Sequence, residues 1–191
     1  MAAAGDDEQL SLLTARLRLR CWRDTDRQSL RRLYADPVVM RDYGDVFDHA
    51  TSDARLTFYR DTCREFGFSR WVVETLNEEF LGYVGIMPRY GDGHPLGDHE
   101  EIGWRLKAGA WGKGYATEAA RAALADGFER VRLSRVFAYT SADNFASQAV
   151  MNRLGMTRER TLDFTVMHNL IGRWSGLVWS TEGDTSKDGR M

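Results

Sequence analysis

Residues 106–118 read Leu-Lys-Ala-Gly-Ala-Trp-Gly-Lys-Gly-Tyr-Ala-Thr-Glu, and this stretch decides the fold. A strand-like run at 101–106 leads into it, and an Ala-rich run typical of a helix follows. Gly109, Gly112 and Gly114 allow the backbone to adopt positive φ and let a ligand approach the main chain closely. The unpaired N–H groups and positive dipole of a helix N-terminus favour an anion. The stretch therefore predicts a phosphate site at a strand–turn–helix junction, with a plain turn as the alternative.

Two common phosphate motifs are excluded by the residues themselves. A P-loop needs Ser or Thr after its lysine, but Gly114 follows Lys113. A dinucleotide fold needs Gly-x-Gly-x-x-Gly after the first strand of a βαβ unit, and that spacing is missing here. The pattern that remains is Trp111-x-x-Gly114-x-Ala116.

This pattern resembles the pyrophosphate loop Gln/Arg-x-x-Gly-x-Gly/Ala of the Gcn5-related N-acetyltransferases, the GNAT family, with Trp111 departing at the first position. The string at 111–119 is similar to the branch of ribosomal-protein N-terminal (RimJ/RimL-type) acetyltransferases. Three more segments resemble the family in the right order: Thr-x-Arg-Leu-x-Leu-Arg from Thr14, Asp-Pro-x-Val-Met from Asp36, and Asn-x-x-Ser-x-x-x-Met-x-x-Leu-Gly-Met from Asn144.

Periodicity and turn residues predict the element order β, α, α, β, β, β, α, β, α, β, β. The predicted strands are 16–21, 70–76, 80–86, 100–106, 134–140, 156–161 and 173–180. The predicted helices begin at a Thr25–Gln28 capping box, at Thr51, at 115 (to 131) and at 144 (to 154). The crossover at 107–134 makes strands 100–106 and 135–140 parallel neighbours.

The fold class is therefore α/β (α+β). We expect a single-domain GNAT-like fold at 12–180, with a mixed central sheet of about seven strands and helices on both faces. The resemblance implies that the sheet is splayed between strands 100–106 and 135–140. Residues 1–11 and 181–191 are expected to be a disordered arm and tail.

Composition narrows the class of protein. A net charge of -2 argues against a nucleic-acid partner. No run approaches the ~20 apolar residues of a membrane span, and the N-terminus lacks the features of a signal peptide. Cys21 and Cys63 lie far apart in sequence and form no disulfide framework, which predicts a cytoplasmic protein.

The resemblance implies acetyl-CoA as cosubstrate and an amine as acceptor. The pyrophosphate of acetyl-CoA is expected to bind the main-chain N–H groups of residues 112–117. Lys113 either adds a charge contact to it or is simply solvated. The pantetheine arm of acetyl-CoA is expected along the strand at 104–106. The full set of expected cofactor residues is Trp104, Arg105, Leu106, Trp111, Gly112, Lys113, Gly114, Tyr115, Ala116, Thr117, Asn144 and Ser147.

The helix at 144–154 places Asn144, Ser147 and Met151 on one face by their spacing of three and four. Many family members have a tyrosine general acid at the third position, and Met151 cannot take that role. The resemblance implies Ser147 as general acid instead. Two alternatives stay open: Ser147 only hydrogen-bonds the cofactor, and Asn144 is only the helix cap.

Glu101 is the candidate general base, acting through a water on the attacking amine. A main-chain N–H near Trp104 is expected to stabilise the oxyanion. The alternative is a strand-end carboxylate paired with Arg105, two pleats along on the same face.

The acceptor is expected to be a protein N-terminal α-amine or a small cationic amine. Acidic residues in the flanking loops favour a cation, with ordinary solvated loop acids as the alternative: Asp42, Asp45, Asp48, Asp92, Asp98 and Glu100. Aromatic residues are possible pocket walls, with ordinary packing as the default: Tyr43, Phe47, Tyr90, Phe164 and Trp174. The four histidines lack metal spacing, so no metal is predicted: His49, His94, His99 and His168.

Two other functions stay open at this point. One is a CoA-binding sensor that has lost catalysis, and the other is a protein-binding module with a structural cofactor. The resemblance allows a monomer or a homodimer.

Overall fold

One nine-stranded mixed sheet organises the chain, and its strand order is β1-β2-β3-β4-β5-β6-β9-β7 with β8 paired to β9. The computed structural model describes residues 10–168 and 172–183. The strands are β1 (Ser11–Leu13), β2 (Leu17–Arg20), β3 (Arg70–Thr75), β4 (Phe80–Arg89), β5 (His99–Leu106), β6 (Arg135–Thr140), β7 (Thr157–Arg158), β8 (Phe164–His168) and β9 (Gly172–Glu182). The mixed α/β class is confirmed, with nine strands in place of the predicted seven.

Five α-helices accompany the sheet within the described residues: α1 (Arg27–Tyr34), α2 (Pro37–Met40), α3 (His49–Phe66), α4 (Tyr115–Glu129) and α5 (Phe145–Arg153). The predicted Thr25–Gln28 capping box is wrong, because a 3-10 turn at 24–26 precedes α1 and the Asp26 carboxylate accepts from the Arg23 N–H. The predicted start of α3 at Thr51 is also wrong. Asp48 caps this helix by accepting from the Thr51 N–H at 2.7 Å.

Helices cover both faces of the sheet, as strand alternation requires. On one face, small residues of α4 such as Ala119, Ala120 and Ala123 pack against Val84 and Ile102. On the other face, the core is built from α1, α3 and the alternate strand positions: Trp22, Leu30, Leu33, Leu56, Tyr59, Val72 and Tyr83. The sheet is therefore a rigid floor between two cores.

The sheet opens between β5 and β6. β5 pairs with β4 along its whole length, from Arg89↔His99 to Gly82↔Leu106. It pairs with β6 in parallel at a single register position, Glu101↔Phe137. The two strands diverge beyond that point, so the splay is confirmed and the C-terminal half of β5 faces an open cleft.

Differences from the predicted boundaries lie at the ends of the chain. Ser11 belongs to β1 and residues 181–182 belong to β9, so the predicted arm and tail are each too long; residues 1–9 and 184–191 lie outside the described residues. The predicted strand at 156–161 shrinks to β7 followed by a 3-10 turn at 160–162. β8 was missed.

Cys21 and Cys63 are joined by a disulfide in this structure. The prediction that these cysteines form no disulfide framework is therefore wrong, because the fold brings Cys21, directly after β2, to Cys63 of α3 although they are 42 positions apart in sequence. The cysteines then no longer support a cytoplasmic location. None of the helices in the described ranges is both long and apolar enough to cross a bilayer.

Candidate active site

Two connected cavities lie along the splayed edge of β5. The first, which we name the loop cleft, has a volume of about 1440 Å³ and is lined by the glycine turn, the start of α4, and α5. The second, the α3 cavity, has a volume of about 750 Å³ and lies between α3, β4, β5 and β8. Residues lining both mark the junction: Asp42, Trp104, Arg105, Ser141, Asn144, Ser147 and Trp174.

The glycine turn is built for close approach of a ligand to the backbone. Gly112 and Gly114 have φ of 73° and 79°, whereas Gly109 does not have positive φ, so the prediction holds for two of the three glycines. Gly114 is the N-cap of α4 and no side chain caps the helix there. A Cβ at Gly112 would meet nothing within 4 Å. The first N–H groups of α4 therefore border the loop cleft without a side-chain acceptor.

Hydrogen bonds and an ion pair join this turn and the start of α4 to the segment between β1 and β2. The Arg16 guanidinium donates to both Glu118, at 2.7 Å, and the Lys113 carbonyl, at 3.0 Å. The Thr14 hydroxyl also donates to Glu118 at 2.6 Å. Lys113 lies outside the residues that line the cleft, which favours the solvated alternative for its side chain. Trp111 borders the cleft, and its indole N–H donates to the Leu106 carbonyl at 2.8 Å.

Four arginines lining the loop cleft were missed by the sequence analysis: Arg16, Arg41, Arg121 and Arg153. One of them could have been predicted from the sequence: Arg121 follows Thr117 by four residues and so lies on the same helix face. Arg41 lies over the Trp111 ring at 5.6 Å, a contact between distant segments. These cations suit a polyanionic ligand better than Lys113 does.

At the junction, Asn144 and Ser147 are brought together with Trp104. The side-chain oxygen Oδ1 of Asn144 accepts from the Ser147 N–H at 3.1 Å. Asn144 is therefore the N-cap of α5, as one alternative proposed. The Trp104 indole N–H donates to Ser147 Oγ at 3.3 Å. Met151 also lines the α3 cavity and has no proton to give. Ser147 is therefore a hydroxyl oriented at the mouth between the two cavities.

Glu101 lies partly buried in the wall of the α3 cavity, and the alternative that paired it with Arg105 is wrong. Its carboxylate accepts from Arg70 at 2.7 Å and from the Tyr139 hydroxyl at 2.7 Å, with Arg89 at 3.4 Å. Arg70 reaches it from β3 because Gly103 has no side chain; a Cβ there would lie 2.8 Å from the guanidinium.

Arg105 pairs with Asp42 instead, through two hydrogen bonds of 2.8 and 2.9 Å. Its guanidinium also lies over the Tyr43 ring at 4.7 Å. The side chain of Arg105 therefore forms part of the α3 cavity wall, and only its main chain remains as a candidate contact for a ligand in the loop cleft.

Burial alone would raise the pKa of Glu101, but Arg70, Tyr139 and Arg89 outweigh it and hold that pKa below its ordinary value. The pKa of Glu101 is lower in the folded than in the unfolded protein. The stabilisation of the folded state by the ionised Glu101 carboxylate is therefore fully present above the ordinary pKa of about 4.3, and it is lost as pH falls through the folded pKa. We expect the difference in free energy of unfolding between wild type and Glu101→Gln to be constant above about pH 5 and to shrink in acid. Urea unfolding at several pH values measures it, and a constant difference across the whole range would contradict the assignment.

The predicted acidic rim is mostly occupied by local contacts. Of the six acids, only Asp42 and Asp92 line the α3 cavity, and they pair with Arg105 and Arg89. The other four accept hydrogen bonds from nearby groups. Asp45, Asp48 and Asp98 accept from main-chain N–H groups, and Glu100 accepts from the Tyr90 hydroxyl. The geometry therefore gives little support to steering of a cation by this rim. Of the aromatic candidates, Tyr43, Tyr90, Phe164 and Trp174 line the cavity, whereas Phe47 packs against Tyr34.

The histidines have separate positions. His94 lines the α3 cavity and stacks on Tyr139 at 5.0 Å, and His99 is buried with its Nδ1 2.7 Å from the Gly97 carbonyl. His49 is the first residue of α3, and the side chain of His168 lies outside the described residues. Within the described ranges, no three His, Cys, Asp or Glu residues form a group that could hold a metal ion.

Residues 16–157 match the family described as Acetyltransferase (GNAT) domain. The chain belongs to the GNAT family. It is an N-acetyltransferase, and membership of this family favours an enzyme over the non-catalytic sensor.

Relatives and solved structures agree with this assignment. The chain is 34% identical over 153 residues to the uncharacterized protein YkkB of Bacillus subtilis, which covers 79% of this chain and 87% of that protein. It is 32% identical over 159 residues to FsC-acetyl coenzyme A-N(2)-transacetylase of Aspergillus fumigatus, and this match covers 80% of this chain and 67% of that protein. Its fold matches RimL, the ribosomal L7/L12 alpha-N-protein acetyltransferase in complex with Coenzyme A, with a TM-score of 0.71 at 16% identity over 92% and 99% of the chains. The solved structure of RimL therefore shares the fold of this chain.

Proposed function

We propose that this enzyme uses acetyl-CoA to acetylate a primary amine, either a protein N-terminal α-amine or a small cationic amine, by direct attack on the thioester. The single observation that carries the proposal is the connection of the loop cleft to the α3 cavity at Trp104 and Ser147. One cavity can hold a long anionic cosubstrate, and the other can present an amine to its end. A cytoplasmic location, where acetyl-CoA is available, stays a prediction, as does the choice between monomer and homodimer.

The residues of the loop cleft fit CoA. The αL glycines Gly112 and Gly114, with the N–H groups at the start of α4, would hold the pyrophosphate. The splayed half of β5 at 104–106 leaves room for the pantetheine arm beside its main chain. The surrounding arginines complement the remaining negative charge. Bound acetyl-CoA supplies the activated acetyl thioester.

In the proposed chemistry, the amine nitrogen forms a bond to the acetyl carbon and the carbon–sulfur bond breaks. Glu101 takes the amine proton through a water, and the hydroxyl of Ser147 gives a proton to the departing thiolate. The main-chain N–H near Trp104 faces the developing oxyanion. Because the lowered pKa of Glu101 makes it a weak base, the arrangement suits an α-amine of pKa about 7.7–8.0 better than a lysine-like amine of about 10.4.

The test is thiol release from acetyl-CoA across N-terminal peptides, polyamines and aminoglycosides. Release with one acceptor class supports the proposal and identifies the acceptor. Tight CoA binding by calorimetry without release from any acceptor contradicts the proposed acceptor classes. The absence of CoA binding contradicts the assignment of the loop cleft.

Ser147→Ala separates the two roles left open for this hydroxyl. If Ser147 is the general acid, the substitution should lower kcat about tenfold or more while the KM for acetyl-CoA stays within about twofold. If Ser147 only binds the cofactor, the substitution should raise the KM for acetyl-CoA instead. Steady-state kinetics with varied acetyl-CoA measure both, and Ser141→Ala, which removes another hydroxyl at the junction, is the control.

The affinity for CoA should also fall as salt rises, because exposed arginines border the cleft. We expect Arg41→Gln to weaken binding by about two- to fivefold at low salt and to flatten the salt dependence. Arg32→Gln, which removes the same charge from α1 outside the cleft, should change neither. Calorimetric titrations between low and high salt measure the slopes, and equal slopes for the two variants would count against the arginine contact.

A further inference from the structure

The charges lining the α3 cavity leave one cation without a counterion. Four arginines line it: Arg55, Arg70, Arg89 and Arg105. Four acids line it: Asp42, Glu65, Asp92 and Glu101. Three of the arginines are paired with three of the acids, Arg70 with Glu101 at 2.7 Å, Arg89 with Asp92 at 2.6 Å, and Arg105 with Asp42 at 2.8 Å. Arg55 and Glu65 remain.

Arg55 and Glu65 cannot neutralise each other. Both belong to α3, and their separation of ten positions corresponds to about 15 Å along the helix axis. Glu65 is exposed, whereas Arg55 is half-buried. Within residues 10–168 and 172–183, the Arg55 guanidinium has no hydrogen bond or ion pair to another side chain or to the main chain. A partly desolvated guanidinium without an acceptor is unfavourable unless a ligand supplies one.

The surroundings of Arg55 suit an anion. Its electrostatic neighbours are four tyrosines: Tyr34, Tyr43, Tyr59 and Tyr83. Tyr43, Tyr59 and Tyr83 line the same cavity. The Tyr83 hydroxyl accepts from Tyr34 at 3.3 Å, so it keeps its own proton to donate to an anionic oxygen. The nearby carboxylate of Asp42 is already occupied by two hydrogen bonds from Arg105. An anion at Arg55 would therefore meet donors rather than competing acids.

Arg55 and the three tyrosines that line its cavity, Tyr43, Tyr59 and Tyr83, form a cluster close to the expected position of the acceptor amine. Tyr83 lies directly opposite Arg105 in the β4–β5 ladder, and Arg105 lines both cavities at their junction. Trp104 and Ser147 line the same junction and contact each other there. Directly opposed residues in such a ladder have Cβ atoms about 5 Å apart, so the cluster lies within the reach of a small molecule whose amine is at the junction.

We propose that Arg55 binds an anionic group, in the first place a carboxylate, on the acceptor itself, so that the substrate is a primary amine that also carries an anion. This inference rests on the proposed function, since it describes the acceptor of the same reaction. Arg55 is then a specificity-determining residue: the guanidinium holds the carboxylate through charge-assisted hydrogen bonds while the amine points to the junction. The anion is either the carboxylate of a free amino acid or the acidic side chain of a peptide.

The experiment compares matched acceptors, each of the common amino acids and its carboxamide, in a thiol-release assay. For the preferred side chain, we expect kcat/KM to be about tenfold to a hundredfold higher for the carboxylate than for the carboxamide. Arg55→Gln should bring this ratio close to one by slowing the carboxylate and leaving the carboxamide within about twofold. Arg64→Gln removes the same charge from the same helix outside the cavity and should keep the ratio. A second arm compares dipeptides carrying Asp or Glu at the second position with their Asn or Gln counterparts. The two arms together show whether the anion is the carboxylate of a free amino acid or the acidic side chain of a peptide.

Equal use of carboxylates and carboxamides by the wild type, in both arms, overturns the proposal but leaves the proposed function standing. A ratio that survives in Arg55→Gln also overturns it. If no acceptor releases thiol, binding of N-acetylglycine and N-acetylglycinamide to the protein saturated with CoA is measured by calorimetry. Binding that is specific for the carboxylate and is lost in Arg55→Gln supports the anion site without turnover, and its absence in the wild type overturns it.

Discussion

Glu101→Gln is expected to lower kcat by about 10²–10⁴-fold while the affinity for CoA stays within about twofold. The carboxylate lies in the wall of the α3 cavity and on the strand that leads to the glycine turn, but it is outside the residues that line the loop cleft. A general base at this position affects proton transfer from the amine and leaves the cosubstrate contacts intact. Thiol-release kinetics and calorimetric titration with CoA measure the two quantities on the same preparation.

The substitution has a structural cost that needs its own control. Gln cannot neutralise Arg70, so a buried guanidinium loses its counterion and the protein is destabilised. Glu74→Gln provides the matched control, because Glu74 of β3 is buried and pairs with Arg20 of β2 at 2.9 Å. Glu74 also lies outside both cavities. We expect comparable losses of stability for the two variants, with turnover lost only at Glu101. Parallel loss of turnover in both, or retained turnover in Glu101→Gln, would assign Glu101 a purely structural role.

Local patterns in the sequence predicted the parts of the site that depend on neighbouring residues. The αL conformation at Gly114, the start of α4 immediately after it, and the cap of α5 by Asn144 all follow from residue types within a few positions of each other. The crossover from β5 to β6 follows from the alternation of strand and helix patterns. Backbone chemistry of this kind is short-ranged, and so it can be read from a single sequence.

Contacts between distant segments could not be read in the same way. Arg70 reaches Glu101 across 31 positions, and Arg105 reaches Asp42 across 63, because the folded sheet and the segment after α2 bring them together. Strand alternation correctly placed Glu101 and Arg105 on one face, yet both had better partners than each other. The unpaired Arg55 is likewise visible only when every neighbouring acid has been assigned, since an isolated arginine on an amphipathic helix carries no pattern.

Gly114→Val is expected to weaken CoA binding about tenfold or more and to lower the free energy of unfolding by about 1–2 kcal/mol. Gly114 has φ of 79°, a conformation that a β-branched residue adopts only with strain. A Cβ there would lie 3.5 Å from the Arg16 guanidinium, an ordinary contact, so the effect comes from the backbone rather than from a clash. When the turn relaxes away from the left-handed region, the first N–H groups of α4 no longer converge on one point in the cleft.

Gly109→Val is the matched control within the same turn. Gly109 does not have positive φ, and a Cβ there would meet nothing within 4 Å. The same added volume is therefore expected to change CoA affinity by less than about twofold. Calorimetry with CoA and urea unfolding of both variants measure the contrast. If both glycines tolerate valine equally, the cosubstrate does not depend on the geometry at Gly114 and the pyrophosphate must bind elsewhere; if only Gly114 is sensitive, the main chain of this turn provides the anion site.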